Sequence, residues 1–69
     1  MSWPAPSALG AIHLLCAADV LRGEAAEMRD CSFATLLGSV AVALEALANG
    51  HRSVMRDALH EAAVCWVRR

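Results

Sequence analysis

The 69-residue sequence contains no lysine, and its six basic residues, all arginine, stand against seven acidic ones, so the net charge is -1. A charge this close to zero gives neither a basic footprint for nucleic acid nor an acidic tail. The longest apolar run, residues 33–48, is shorter than the roughly 20 residues that span a bilayer, and it contains Glu45. The chain also begins without the charged segment and cleavage pattern of a secretory signal. We therefore expect one small cytoplasmic domain, residues 1–69, with no membrane partner and with residues 33–48 as a buried helix.

The sequence also has few residues with which to build a metal or catalytic site. Its three cysteines are odd in number and widely spaced, which excludes a disulfide framework and suits a reducing compartment. His13 and Cys16 lie three residues apart, but zinc sites usually need two such pairs, so we expect no metal and no cofactor. No glycine-rich phosphate loop or nucleophile elbow is present, and His60 and Glu61 would point about 100° apart on a helix. These features predict a protein that is not an enzyme.

Apolar residues at helical spacing dominate the chain, in which 58% of residues are hydrophobic. A proline-containing arm, residues 1–6, precedes Ser7, which is placed to cap a first helix. That helix is predicted to run past Gly23, because its apolar seam keeps its register. The seam is Ala11, Leu14, Ala18, Leu21, Ala25 and Met28. A second apolar set lies on another side of the same helix and consists of Leu9, Ile12, Cys16 and Val20.

Asp30 or Ser32 is placed to cap a second helix beginning near Phe33. Its large apolar residues form one stripe, and its reverse side is made of small residues that permit close helix approach. The stripe is Phe33, Leu37, Val40, Leu44 and Leu47. Asn49 and Gly50 then predict a helix end, since both tolerate the left-handed conformation. The alternative is a long two-helix hairpin in which the helix continues through this pair.

A third helix would be capped by Ser53 and would pack through Met55, Leu59, Ala62 and Trp66. The predicted fold is therefore all-α, a bundle of three helices. A chain of this size buries only about 60% of its unfolded surface, and the first helix has two apolar sides, so a homodimer is predicted. The residues expected in the core or the dimer interface are Leu14, Leu21, Phe33, Leu37, Val40, Leu44, Leu47 and Leu59.

The third helix also carries the residues predicted to contact a partner protein. Arg52 and Arg56 lie near its N-terminus, where a cation opposes the helix dipole, so folding alone does not favour them there. Trp66 and arginine are typical of interface hot spots, although core packing of Trp66 and a solvated arginine ridge are the alternatives. The predicted partner surface comprises Arg52, Arg56, His60, Trp66, Arg68 and Arg69.

A DNA-binding helix-turn-helix is the main alternative function, because a basic third helix follows a glycine turn. Ala46 and Gly50 have the spacing of that motif, but polar residues, His51 and Arg56, occupy two positions that should be apolar. The low net charge also gives no field that attracts phosphates. A small DNA-binding or transcription-associated protein therefore stays open as the second hypothesis.

The short, lysine-free, all-helical chain with surplus apolar faces resembles the small bacterial and phage-encoded antiactivators. The features that carry the resemblance are the seam from Ala11 to Met28, the stripe from Phe33 to Leu47, and the arginines at 52, 56, 68 and 69. Members of that group are helical dimers that bind LuxR-type quorum-sensing regulators and block their DNA binding. The resemblance implies a dimeric inhibitor of a host regulatory protein, with no residue role carried over. Other phage inhibitors of host machinery, such as anti-CRISPR proteins, share these general features.

Overall fold

The computed structural model describes residues 7–68 and contains three α-helices. They are α1 (Ala8–Glu27), α2 (Cys31–Ala48) and α3 (Arg52–Arg68). The prediction of an all-α, three-helix fold is confirmed, as is the continuation of α1 through Gly23. The proline-containing arm and Arg69 lie outside the described residues.

The first two helices begin at side chains that accept hydrogen bonds from free backbone amides. The Ser7 hydroxyl accepts from the Gly10 N–H at 3.1 Å. The Asp30 carboxylate accepts from the N–H groups of Ser32, at 2.9 Å, and Phe33, at 3.2 Å. Asp30 is therefore the cap, and α2 begins at Cys31, slightly earlier than the sequence predicted.

The end of α2 is a tight reversal around Gly50, which has a left-handed φ of 73°. The His51 N–H donates to the Ala46 carbonyl at 2.8 Å, and the Gly50 N–H donates to the Leu47 carbonyl at 3.2 Å. These two bonds form the Schellman motif, which satisfies carbonyls at a helix C-terminus. The two-helix hairpin is thereby excluded. The prediction that Ser53 caps α3 is wrong, because this turn starts the helix at Arg52 and places Ser53 inside it.

The three helices lie side by side in a single layer. α1 and α3 each pack on α2, and over residues 7–68 they do not contact each other. The molecule measures 35 × 24 × 11 Å. A width of 24 Å fits three helices spaced about 8–10 Å apart, and 11 Å is close to the diameter of one helix. The layer therefore has two broad faces and two long edges.

The core of this layer is made mostly of alanine. Ala18 of α1 and Ala41 of α2 are fully buried. Between α2 and α3, alanines cluster around Met55, and Leu47 packs against the cluster, whose other members are Ala43, Ala46 and Ala58. No large side chain is fully buried in the described chain. Contacts between alanines bring helix axes close together, so the larger neighbours stay at the surface of the layer.

The structure corrects the predicted packing of α3. It packs through Met55, Ala58 and Ala62, whereas Leu59 is 47% exposed and Trp66 is 59% exposed. Leu59 is therefore excluded from the core of the single chain, and the core-packing alternative for Trp66 is wrong. The cause is the small size of Ala58, which lets α3 approach α2 along a line one residue away from Leu59.

The large apolar residues of α1 and α2 are also less buried than predicted. Leu14 and Leu21 and the five residues of the α2 stripe are half-buried, and the second apolar set of α1 is exposed. Only 22% of the 18 residues of α2 are buried, although the sequence predicted a buried helix. By length and composition alone, α2 is apolar enough to cross a membrane. A flat layer covers its central helix on two sides only.

Candidate functional site

The two broad faces of the layer differ in chemistry. Ala41 is buried on the side of α2 that faces α1, and Ala43 and Ala46 are buried on the opposite side, against α3. A helix turns by about 100° per residue, so Phe33, Val40 and Leu44 point midway between these directions, onto one broad face. Val42 points onto the other broad face and is 39% exposed.

The side chains of α3 divide in the same way. Val42 of α2 lines a shallow groove with Val54, Asp57, His60 and Glu61 of α3. By the helical period Val54, Asp57 and Glu61 lie on the face that Val42 shares, and His60 borders the groove from the outer edge. By the helical period, Leu59 and Trp66 then flank the buried Ala62 from the opposite side. We call the two surfaces the apolar face, defined by Leu21, Phe33, Val40, Leu44, Leu59 and Trp66, and the charged face, defined by Arg22, Glu45, Asp57, Glu61 and Arg68.

An ion pair between Arg22 of α1 and Glu45 of α2 crosses the charged face. The guanidinium donates a hydrogen bond to the carboxylate, which lowers the pKa of Glu45 and raises that of Arg22. Both side chains stay partly exposed. An ion pair of this kind holds two helices in register and adds little stability, because water screens it.

The residues predicted to contact a partner do not lie on one surface. Arg52 and Arg56 line an open groove with Gly50 and His51 at the start of α3. His60 is exposed one turn further along the same ridge. We call Arg52, Arg56 and His60 the outer ridge. Arg56 and His60 lie toward the edge of the layer that faces away from α2, whereas Arg52, seven residues before Leu59, lies at the end of the same stripe as Leu59 and Trp66.

The remaining predicted partner residues lie elsewhere on α3. Trp66 is on the apolar face. Arg68 is about 24 Å from Arg52 along the helix axis and lines a groove on the charged face with Cys31, Thr35 and Cys65. Arg69 lies outside the described residues. Sequence reasoning grouped these residues by composition and missed that His60 and Arg68 lie on different sides of α3 from Trp66.

The metal-ligating residue types are dispersed over residues 7–68. The structure brings together no group of three or more His, Cys, Asp or Glu residues that would hold a metal ion there. His13 and Cys16 are both exposed on α1, and the three cysteines are free thiols.

Comparisons of the sequence with protein-family models and with curated proteins, and of the fold with solved structures, found no match. The functional interpretation therefore depends on the surface of this layer.

Proposed function

We propose that this protein is a non-enzymatic interaction module that works as a dimeric inhibitor of a host regulatory protein. The observation that carries the proposal is the amount of large apolar surface that folding leaves exposed. Leu59 is 47% exposed and Trp66 59%, and both lie on the apolar face beside the half-buried stripe of α2. Contiguous exposed apolar patches mark surfaces that bind other proteins. The resemblance to antiactivators supplies the class of target, a LuxR-type quorum-sensing regulator in the cytoplasm.

The outer ridge is the surface proposed to contact the regulator. Arg52 and Arg56 are exposed in the first turns of α3, which has no acidic residue in its first turn. Cations at a helix N-terminus oppose the dipole by roughly 0.3–1 kcal/mol. Guanidinium groups bind carboxylates in a planar, bidentate arrangement. An acidic patch on the regulator is the matching chemistry.

The test uses a purified LuxR-type regulator bound to its operator DNA. Adding this protein is expected to release the DNA, as measured by an electrophoretic mobility shift. The double substitution Arg52→Ala/Arg56→Ala is expected to raise the concentration needed for half-release by roughly tenfold or more, since two charge-assisted contacts are lost. The matched control is Arg29→Ala, which removes an exposed arginine from the connection between α1 and α2.

Two results would contradict the proposal. Full release of DNA by the double variant would show that the outer ridge does not contact the regulator. Binding of this protein itself to the operator, with an affinity that falls steeply as salt rises, would favour the DNA-binding hypothesis instead.

A further inference from the structure

The chain exposes more surface than a folded monomer of its mass requires. Its accessible surface is 4954 Å² at a mass of 7.3 kDa. Compact monomers of that mass expose about 4,200 Å², so the excess is roughly 800 Å². One partner in a standard protein–protein interface buries about the same area. The excess, counted over all 69 residues, is thus of the size of one standard interface.

The shape of the layer decides which surface has room for such an interface. A broad face measures 35 × 24 Å and a long edge 35 × 11 Å. Their footprints are roughly 800 Å² and 400 Å², and only the former reaches the area of a standard interface. The α1 edge, with its exposed Leu9 and Val20, is therefore too small to form a standard interface by itself.

The two broad faces differ in charge, which selects one of them. Interface cores are depleted of charged residues and enriched in aromatic ones. The charged face carries the Arg22–Glu45 ion pair together with Asp57 and Glu61. The apolar face has Phe33 and Trp66 among aliphatic side chains, and the charged Arg52 lies at the end of its α3 stripe.

We propose that the apolar face binds the apolar face of a second copy, giving a two-layer, six-helix dimer. A second copy is the occupant that presents an equally flat, mostly apolar surface of the required area, and a two-fold axis pairs one patch with itself and closes the assembly. This inference deepens the proposed function by assigning the surface through which its dimer forms. It leaves Arg56 and His60 of the outer ridge accessible on both copies, places Arg52 at the margin of the interface, and moves Trp66 from the regulator contact to the dimer interface.

The test compares matched substitutions on α3. Leu59 and Val54 are each 47% exposed, and they lie on the apolar and the charged face respectively. By sedimentation equilibrium at micromolar concentration, the wild type and Val54→Glu are expected to have twice the 7.3 kDa chain mass. Leu59→Glu is expected to be monomeric, because a buried unpaired charge opposes association. Trp66→Glu provides a second variant, and circular dichroism checks that each variant remains helical.

Several outcomes would overturn the inference. They are a monomeric wild type, a dimer that survives both Leu59→Glu and Trp66→Glu, and a dimer that dissociates on Val54→Glu or on Val20→Glu at the α1 edge. A monomeric wild type that sediments with phosphatidylglycerol vesicles would identify lipid as the occupant. Arg56→Ala, at a position outside the apolar face, is expected to stay dimeric, so loss of regulator release in that variant tests the proposed function without affecting this inference.

Discussion

Alanine determines how closely the helices of this protein approach one another. Ala18 and Ala41 have no solvent-exposed surface. Of the five other buried residues in the described part of the chain, four are alanine and one is Met55. Alanine has the highest helix propensity and loses no side-chain entropy when buried. The small area that each alanine buries also limits the stability that the contact provides. The sequence consequently favours helices, but the contacts between them bury little apolar area.

Enlarging a buried alanine is expected to destabilise the layer. Ala18→Leu should lower the free energy of unfolding by about 1–3 kcal/mol, because the added atoms force α1 away from α2. The matched control is Ala17→Leu, at an exposed position of the same helix, with an expected change within about 0.5 kcal/mol. Urea denaturation followed by circular dichroism measures both. Equal stability of the two variants would show that α1 does not pack through Ala18.

At the scale of the helices, the ends are specified by local hydrogen bonds. Ser7 and Asp30 satisfy amides at the starts of α1 and α2, and the turn around Gly50 satisfies carbonyls at the end of α2. Each device depends on residues within five positions of one another. The positions of these ends are therefore set by local sequence.

Two glycines are expected to respond to alanine in opposite directions. Gly50→Ala should destabilise the protein by about 1–2 kcal/mol, because its φ of 73° strains a residue with a Cβ. Gly23→Ala should stabilise it by about 0.5–1 kcal/mol, since Gly23 lies within α1 and an added Cβ would meet no atom within 4 Å. Thermal unfolding of the two variants measures the difference. Stabilisation by Gly50→Ala would contradict the Schellman turn.

The whole molecule is broader than a compact chain of its length. Its radius of gyration is 12.4 Å, against about 11 Å for a compact domain of 69 residues. A layer one helix thick leaves both broad faces of α2 uncovered, so its apolar stripe remains half-buried. The single chain therefore leaves much of its apolar surface in contact with water, and association with a second chain would bury that surface.

Association predicts that thermal stability depends on protein concentration. The Tm of the wild type should rise by roughly 5 °C for each tenfold increase in concentration, because dimerisation couples to folding by mass action. The Tm of Leu59→Glu should not change with concentration. Differential scanning fluorimetry over two decades of concentration distinguishes the cases. A constant wild-type Tm would argue against a dimer that forms on folding.

The sequence by itself determined the helix count and the approximate helix ends. Ser7, Asp30 and the Asn49–Gly50 pair act through local backbone bonds, so their residue types predict their roles. The position of Arg52 and Arg56 at the start of α3 followed from the same turn. The exposure of the outer ridge was likewise predictable, because its residues are polar.

Only the tertiary structure decided which apolar neighbours are buried and how the helices are arranged. Ala58 and Leu59 are adjacent, about 100° apart on α3, and both are apolar, so periodicity alone does not choose between them. The choice depends on the distance between α2 and α3, which the alanines Ala43 and Ala46 set from the other helix. The same distant contacts place Leu59 and Trp66 on the apolar face, and they lay α1 and α3 on opposite sides of α2. Helix ends depend on neighbouring residues and so can be predicted from sequence. Packing depends on the sizes of side chains that are far apart in the chain, and only the tertiary structure shows which of them meet.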